Sequence, residues 1–244
     1  MQSETPNAIF IHGAGGGGWE WSIWQRVFTA RGWSTLAPDL MPSDRSIAHT
    51  RLEDYRAQAH AWAEASAAPR VLIGASLGGL LALQVAAQLH VDALVLINPL
   101  PPAGIVPRST RSYPDDVVAW GSERSLAGTS ASMPDADDAA RLFAFRRWRD
   151  ESATVLRAAS AGVEVAPCTC ATLILASERD GDVAPAASQA LATLLRAEFR
   201  VLPGASHVGP LLGRDAARIA AQAADWCERA LRQNIQVDMS ANRA

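Results

Sequence analysis

Six short apolar runs punctuate the chain, at residues 8–11, 34–37, 71–73, 93–97, 173–176 and 199–202. Each is of strand length, and Pro38 closes the second. The stretches between them repeat apolar residues at helical spacing. Trp21, Trp24, Val27 and Phe28 share one face of a helix over 19–31, stopped by Gly32. Residues 52–67 predict an amphipathic helix. Leu80, Leu81, Leu83, Val85, Ala86 and Leu89 predict another, with His90 at its cationic end. A further helix is expected over 186–195. A closing one over 214–232 carries Ile219, Ala223, Trp226, Cys227 and Leu231 on one face, and 233–244 reads as a frayed tail. Strands alternating with helices predict an α/β fold, with about six strands in a mostly parallel sheet covered on both faces.

The pattern changes after Pro101. From there to Val165 the chain is charged and rich in loops, with prolines at 101, 102, 107, 114 and 134. One long helix is predicted there, over 135–159, from the recurrence of Leu142, Phe145, Trp148, Ser152, Val155 and Ala159. Arg146, Arg147, Arg149 and Arg157 fall mostly off that stripe, as a solvated face would, while the stripe itself packs on the body and can roof a pocket. The expected organisation is a body of residues 1–100 and 166–244 carrying a cap insertion at 101–165.

Composition narrows the classes of function. The 244 residues suffice for one full core with a modest insertion, and 49% are apolar. Net charge is −3 and all 22 basic residues are arginine, without the clustering that nucleic acid demands. Three cysteines without zinc spacing argue for a reducing compartment and no metal, and Cys168 and Cys170 stand too close for an unstrained bridge along one strand. Residues 1–6 lack a basic segment followed by an apolar one, so no signal peptide is expected. The stretch 71–89 approaches membrane-span length, but its glycines, serine and glutamine point to a strand and a helix instead. A cytoplasmic protein is expected, without membrane or nucleic-acid partners; no signal for an oligomeric state stands out.

The third run leads into Gly74-Ala75-Ser76-Leu77-Gly78 and then directly into a helix. Strand, sharp turn and helix form the context in which G-x-S-x-G becomes a nucleophile elbow. Such a turn holds the serine in strained backbone and needs glycine two residues to either side. It lifts the hydroxyl clear of the sheet and aims the Leu77 amide into the same space. A serine needs a base to take its proton, and the base needs an orienting acid. Residues of both types follow the last two strands, in Ser177-Glu178-Arg179-Asp180-Gly181-Asp182-Val183 and in Pro203-Gly204-Ala205-Ser206-His207-Val208. After the first strand, His12-Gly13-Ala14 opens a run of four glycines at 15–18. It lacks the lysine of a P-loop and the distant acid of a dinucleotide site.

These motifs, in this order, resemble the α/β-hydrolases from end to end. His12-Gly13-Ala14-x-Gly16-Gly17-x-Trp19-x-Trp21 with Ala37-Pro38-Asp39-Leu40 is similar to the small branch containing plant methyl-ester esterases and hydroxynitrile lyases. The resemblance implies Ser76 as nucleophile, His207 as general base and Asp180 as its orienter, with Asp182 and Glu178 as rival acids. It implies an oxyanion hole from the amides of Ala14 and Leu77. Gly13, Leu100, Trp148 and Val208 are expected around the substrate. It also separates chemistries: a lyase of that branch carries a lysine directly after the histidine, where this chain has Val208, and the elbow holds serine rather than the aspartate of dehalogenases and epoxide hydrolases. The expectation is hydrolysis of a small to medium carboxylic ester, without cofactor or metal. The same triad would also suit carbon–carbon bond, thioester or lactone hydrolysis, or a ligand-binding receptor with little turnover.

Overall fold

The computed structural model describes residues 5–108 and 110–241. Among these the strands are β1 (Asn7–Ile11), β2 (Ser34–Leu36), β3 (Arg70–Ala75), β4 (Ala93–Ile97), β5 (Val117–Val118), β6 (Glu151–Ser152), β7 (Ala171–Ser177) and β8 (Glu198–Leu202). Six of them form one sheet in the order β2-β1-β3-β4-β7-β8, and every neighbouring pair is parallel. The helices are α1 (Ser22–Thr29), α2 (Leu52–Ala65), α3 (Leu77–Ala86), α4 (Leu126–Ser132), α5 (Asp138–Phe145), α6 (Ala153–Ala161), α7 (Pro185–Leu195), α8 (Gly209–Leu212) and α9 (Ala216–Ala241).

Period-two alternation divides the strand side chains between two cores. Phe10, Ile73 and Val95 point to one face, where Trp24 and Phe28 of α1 and Ile219, Ala223 and Trp226 of α9 cover them. Ile9, Leu72 and Leu94 point to the other, beneath Tyr55 and Ala59 of α2, Leu80 of α3 and Leu191 of α7. Each large side chain withdrawn from water this way contributes about 1.5–3 kcal/mol. The sheet therefore presents a firm row of carboxyl ends from which the loops project.

Between β4 and β7 the expected single helix is absent. Its stripe belongs to two helices, α5 and α6, broken by a turn and by β6, which pairs antiparallel with β5. The three- and four-residue spacing is met within each helix, so periodicity alone runs across the break. Ser152 makes the restart visible: its Oγ accepts the Val155 N–H at 3.3 Å as the N-cap of α6. Two other expectations change. Cys168 and Cys170 precede β7 rather than lying within a strand, and all three cysteines are free. The closing helix continues past Arg232 to Ala241, held in part by Asn234 Nδ2 donating to Asp92 O at 3.0 Å. The rest of the predicted tail, 242–244, and the residues before Thr5 lie outside the described residues. His90 lies beyond the end of α3. No described helix is long and apolar enough to cross a membrane.

The tightest approach in the fold is at the turn between β3 and α3. A Cβ placed on Gly74 would lie 2.2 Å from Gly78 O, and one on Gly78 would lie 2.1 Å from Ile11 O. These are backbone atoms that cannot swing aside. Gly78→Ala is expected to cost about 1–3 kcal/mol or more by chemical denaturation. Gly181→Ala, whose new methyl group would meet nothing within 4 Å, should stay within about 0.5 kcal/mol of the parent.

Candidate active site

Ser76 sits at φ 53° and ψ −119°, in the positive-φ region that residues with a side chain avoid. Its neighbours hold it there. The Ser76 N–H donates to Ile97 O at 2.9 Å, and its carbonyl accepts the Leu100 N–H at 3.0 Å. The next residue, Leu77, begins α3, so its amide belongs to the first turn and has no acceptor within the helix.

The acid and the histidine meet. His207 Nδ1 and Asp180 Oδ2 are 2.7 Å apart, with the Asp180 side chain only 1% exposed. The other oxygen of Asp180 accepts the N–H groups of Asp182 and Val183, each at 2.8 Å, which fixes the carboxylate plane. The rival acids are engaged elsewhere: Glu178 accepts the Gly204 N–H at 2.7 Å, and the half-exposed Asp182 pairs with Arg111 at 3.4 Å. Burial pushes the His207 pKa down, but the Asp180 hydrogen bond and charge, with Asp182 and Glu20 behind them, outweigh it and leave the value raised.

Asn98 ties the histidine to the elbow, a role the sequence reading missed. It follows β4 at φ 45°, donates to His207 O at 2.7 Å and to Ser177 Oγ at 2.9 Å, and accepts the Ser177 N–H at 2.7 Å. Its neighbours Ile97 and Leu100 are those that hold Ser76. The backbones of Ser76 and His207 thus hang from the same strand exit. An asparagine before proline at a strand end, a residue that tolerates positive φ, was the available signal.

The glycine-rich loop crosses in front of the elbow. A Cβ on Gly13 would lie 3.2 Å from Ser76 Cβ and 3.8 Å from Ser76 Oγ, so a side chain there would crowd the serine. His12 anchors the loop from within the core. Its Nε2 accepts the Leu40 N–H at 2.8 Å, which leaves Nδ1–H to donate to Gly13 O at 2.7 Å. Burial drops its pKa to about 4, so the ring is neutral in use. Because a peptide unit is planar, fixing the Gly13 carbonyl fixes the direction of the Ala14 N–H. At the far end, the Gly18 N–H donates to Asp39 Oδ1 at 2.7 Å.

Glu20 also escaped the sequence reading. Its carboxyl is buried against Gly16, where a Cβ would fall 2.1 Å from Oε2, and Oε2 has no hydrogen-bond partner. Burial raises its pKa to about 8, against the pull of His207 and of the Gly13 and Gly17 backbone.

The expected pocket residues divide. Gly13 stands beside Ser76, Val208 follows His207, and Leu100 lines a cavity of about 270 Å³ that also reaches Asp180. Trp148 packs edge-on against Trp19, with centroids 5.2 Å apart, and donates to Thr129 Oγ1 at 3.1 Å. The arginines of the insertion are not merely a solvated face: Arg149 donates to Leu40 O at 2.8 Å and pairs with Asp39 at 3.3 Å. Among the described residues, Asp180, Asp182 and His207 alone group closely enough to offer three metal ligands, within 4.8 Å of one another. The Asp180–His207 hydrogen bond and the Asp182–Arg111 pair already occupy that set.

A parallel sheet with a strained serine at a strand-to-helix turn, and a bonded histidine and aspartate at neighbouring strand exits, has the architecture of an α/β-hydrolase. The model of the alpha/beta hydrolase family matches residues 8–222, and the chain belongs to that family. No match is found among curated protein sequences. Solved structures of the same fold include a pyrethroid hydrolase from Sphingobium faniae JZ-2, with 19% identity, TM-score 0.70 and coverage of 92% of this chain and 98% of that one. A methylesterase from Arabidopsis superimposes with TM-score 0.71 at 13% identity, covering 90% and 98% of the two chains. Tomato methylketone synthase I, complexed with 2-tridecanone, gives 0.71 at 14% identity over 93% and 99%. The plant neighbours include a methylesterase, matching the branch that the sequence motifs resemble.

Glu20 yields a stability test. A carboxyl raised from 4.5 to about 8 on folding contributes stability that is complete below pH 4.5 and is lost as pH rises through 8. Glu20→Gln keeps the shape of the neutral acid and cannot ionise. Its unfolding free energy should match the parent near pH 5 and exceed it near pH 9, by up to about 5 kcal/mol. Denaturation curves that stay parallel at both pH values would show that Glu20 is ionised in the fold.

Proposed function

We propose that the chain is a carboxylic ester hydrolase working through an acyl-serine intermediate. The observation that carries this reading is the 2.7 Å Asp180–His207 contact on a histidine tied through Asn98 to the exit that holds Ser76. With Nδ1–H given to Asp180, the free Nε2 serves as base. Ser76 Oγ attacks the ester carbonyl while Nε2 takes its proton. The carbonyl oxygen becomes an oxyanion facing the amides of Ala14 and Leu77, each worth roughly 3 kcal/mol in such a site. As the tetrahedral intermediate collapses, the alcohol leaves with the proton from His207. Water then repeats the sequence on the acyl-serine, with His207 as base again, and frees the acid. A pyrethroid hydrolase and a methylesterase among the structures of the same fold are compatible with this reading.

A panel of p-nitrophenyl and methyl esters of graded chain length, with a fluorophosphonate probe, tests it. Ser76→Ala should lose both labelling and turnover; label found on another residue would refute the assignment. Asp180→Asn is expected to lose on the order of 10⁴ in kcat, and Asp182→Asn far less. Because a raised histidine pKa keeps the base protonated to higher pH, turnover should climb through a midpoint above ~6.5. A rate flat from pH 8 down to pH 5 would rule out His207 as base.

A further inference from the structure

The run of four glycines at 15–18 gives the loop wide backbone freedom. An amide that must face a developing charge cannot be left free, because its worth lies in being oriented beforehand. His12 fixes the peptide unit before Ala14. The unit after it, which joins Ala14 to Gly15, is fixed from outside the sheet by the segment around β6.

The Gly15 N–H donates to Glu151 Oε2 at 3.1 Å, and the Gly15 carbonyl accepts the Arg149 N–H at 2.8 Å. Gly15 itself stands at φ +69°, and a Cβ there would fall 2.6 Å from Trp120 Cε3. Glu151 is 3% exposed, and its Oε1 accepts the Tyr55 hydroxyl at 2.9 Å and the Ser152 N–H at 2.7 Å. Three donors on two oxygens match a carboxylate. A neutral amide has one acceptor atom and would set an N–H against a donor. A carboxylate so deeply buried is costly, and Tyr55 and Ser152 alone would accept a neutral partner. What the second oxygen adds is a hold on Gly15.

We propose that Glu151 is a positioning residue of the insertion, which locks the glycine-rich loop in the form where the Ala14 N–H faces the oxyanion. This rests on the proposed ester hydrolysis with Ala14 and Leu77 as oxyanion donors. Glu151 touches no reacting atom; it acts through Gly15.

The test compares the parent, Glu151→Gln and Tyr55→Phe by ester kinetics, by the rate of fluorophosphonate inactivation and by thermal melting. Tyr55→Phe removes a bond to Glu151 but leaves Glu151 on Gly15. Glu151→Gln should lower kcat by about 10- to 100-fold, somewhat less than deletion of an oxyanion donor, with KM within about 3-fold. Inactivation should slow in parallel. Tyr55→Phe should lose stability yet keep kcat within about 3-fold. Should Glu151→Gln fail to fold, Glu151→Asp takes its place, since it keeps the charge and withdraws it from Gly15 by one methylene. The proposal is overturned by an unchanged kcat, by a loss confined to KM, or by an equal loss of kcat in Tyr55→Phe. A parent enzyme that the probe does not label at Ser76 overturns the hydrolase reading and this one together; a labelled parent with an indifferent Glu151 variant overturns this one alone.

Discussion

Everything at the site depends on how closely three backbones meet at the turn after β3. Gly74 against Gly78, and Gly78 against the end of β1, leave no room for a methyl group. That closeness forces Ser76 into positive φ, and the strain is offset by ordinary means: a strand-like bond to Ile97, a bond from Leu100 and a helix that starts at once. The cost of such a backbone conformation is on the order of 1–3 kcal/mol. Two faces of buried aliphatic and aromatic side chains, with Phe10, Trp24 and Phe28 on one and Leu72, Leu80 and Leu94 on the other, exceed that many times over. The hydroxyl is therefore presented by a closely packed strand-to-helix turn rather than by a long loop.

The sheet and the order of motifs were legible because each is written in local sequence. Apolar runs of strand length reported burial on both faces, and G-x-S-x-G reported a turn that few other residues could make. Contacts that join distant segments were not legible. Asn98 reads as the end of a strand, Glu20 as a polar residue between two tryptophans, and Arg149 as one of several surface arginines. Their roles come from partners at Ser177 and His207, at Gly16, and at Asp39 and Leu40. The broken helix failed for another reason. Its stripe continues in phase through residues 146–152, where a turn, the pairing of β6 with β5 and the Ser152 cap interrupt it. Trp148, on that same stripe, packs against Trp19 and Thr129.

Glu20 and Glu151 flank the same loop, are both buried and yet differ in their hydrogen-bond partners. Burial raises the pKa of both. The difference lies in the donors: Glu20 Oε2 has none, whereas three protein groups converge on Glu151 and Arg149 stands near it. At Glu20 burial outweighs the pull of the Gly13 and Gly17 backbone, and at Glu151 the donors on both oxygens work against burial.

That asymmetry bears on the histidine. Glu20 raises the His207 pKa only when ionised, and a charged His207 in turn lowers the pKa of Glu20. The two groups titrate as a pair, and a midpoint measured on either belongs to both. Near neutrality Glu20 is protonated, so the stabilisation of an imidazolium falls mainly to Asp180, which touches it, and to Asp182 behind. Asp180 lies against Nδ1, on the ring edge away from the proposed proton transfer. A neutral Glu20 adds no second negative charge close to the amides that must receive an oxyanion. Ionised, it would help the imidazolium and oppose the oxyanion at once; a buried acid that holds its proton to about pH 8 avoids that conflict near neutrality.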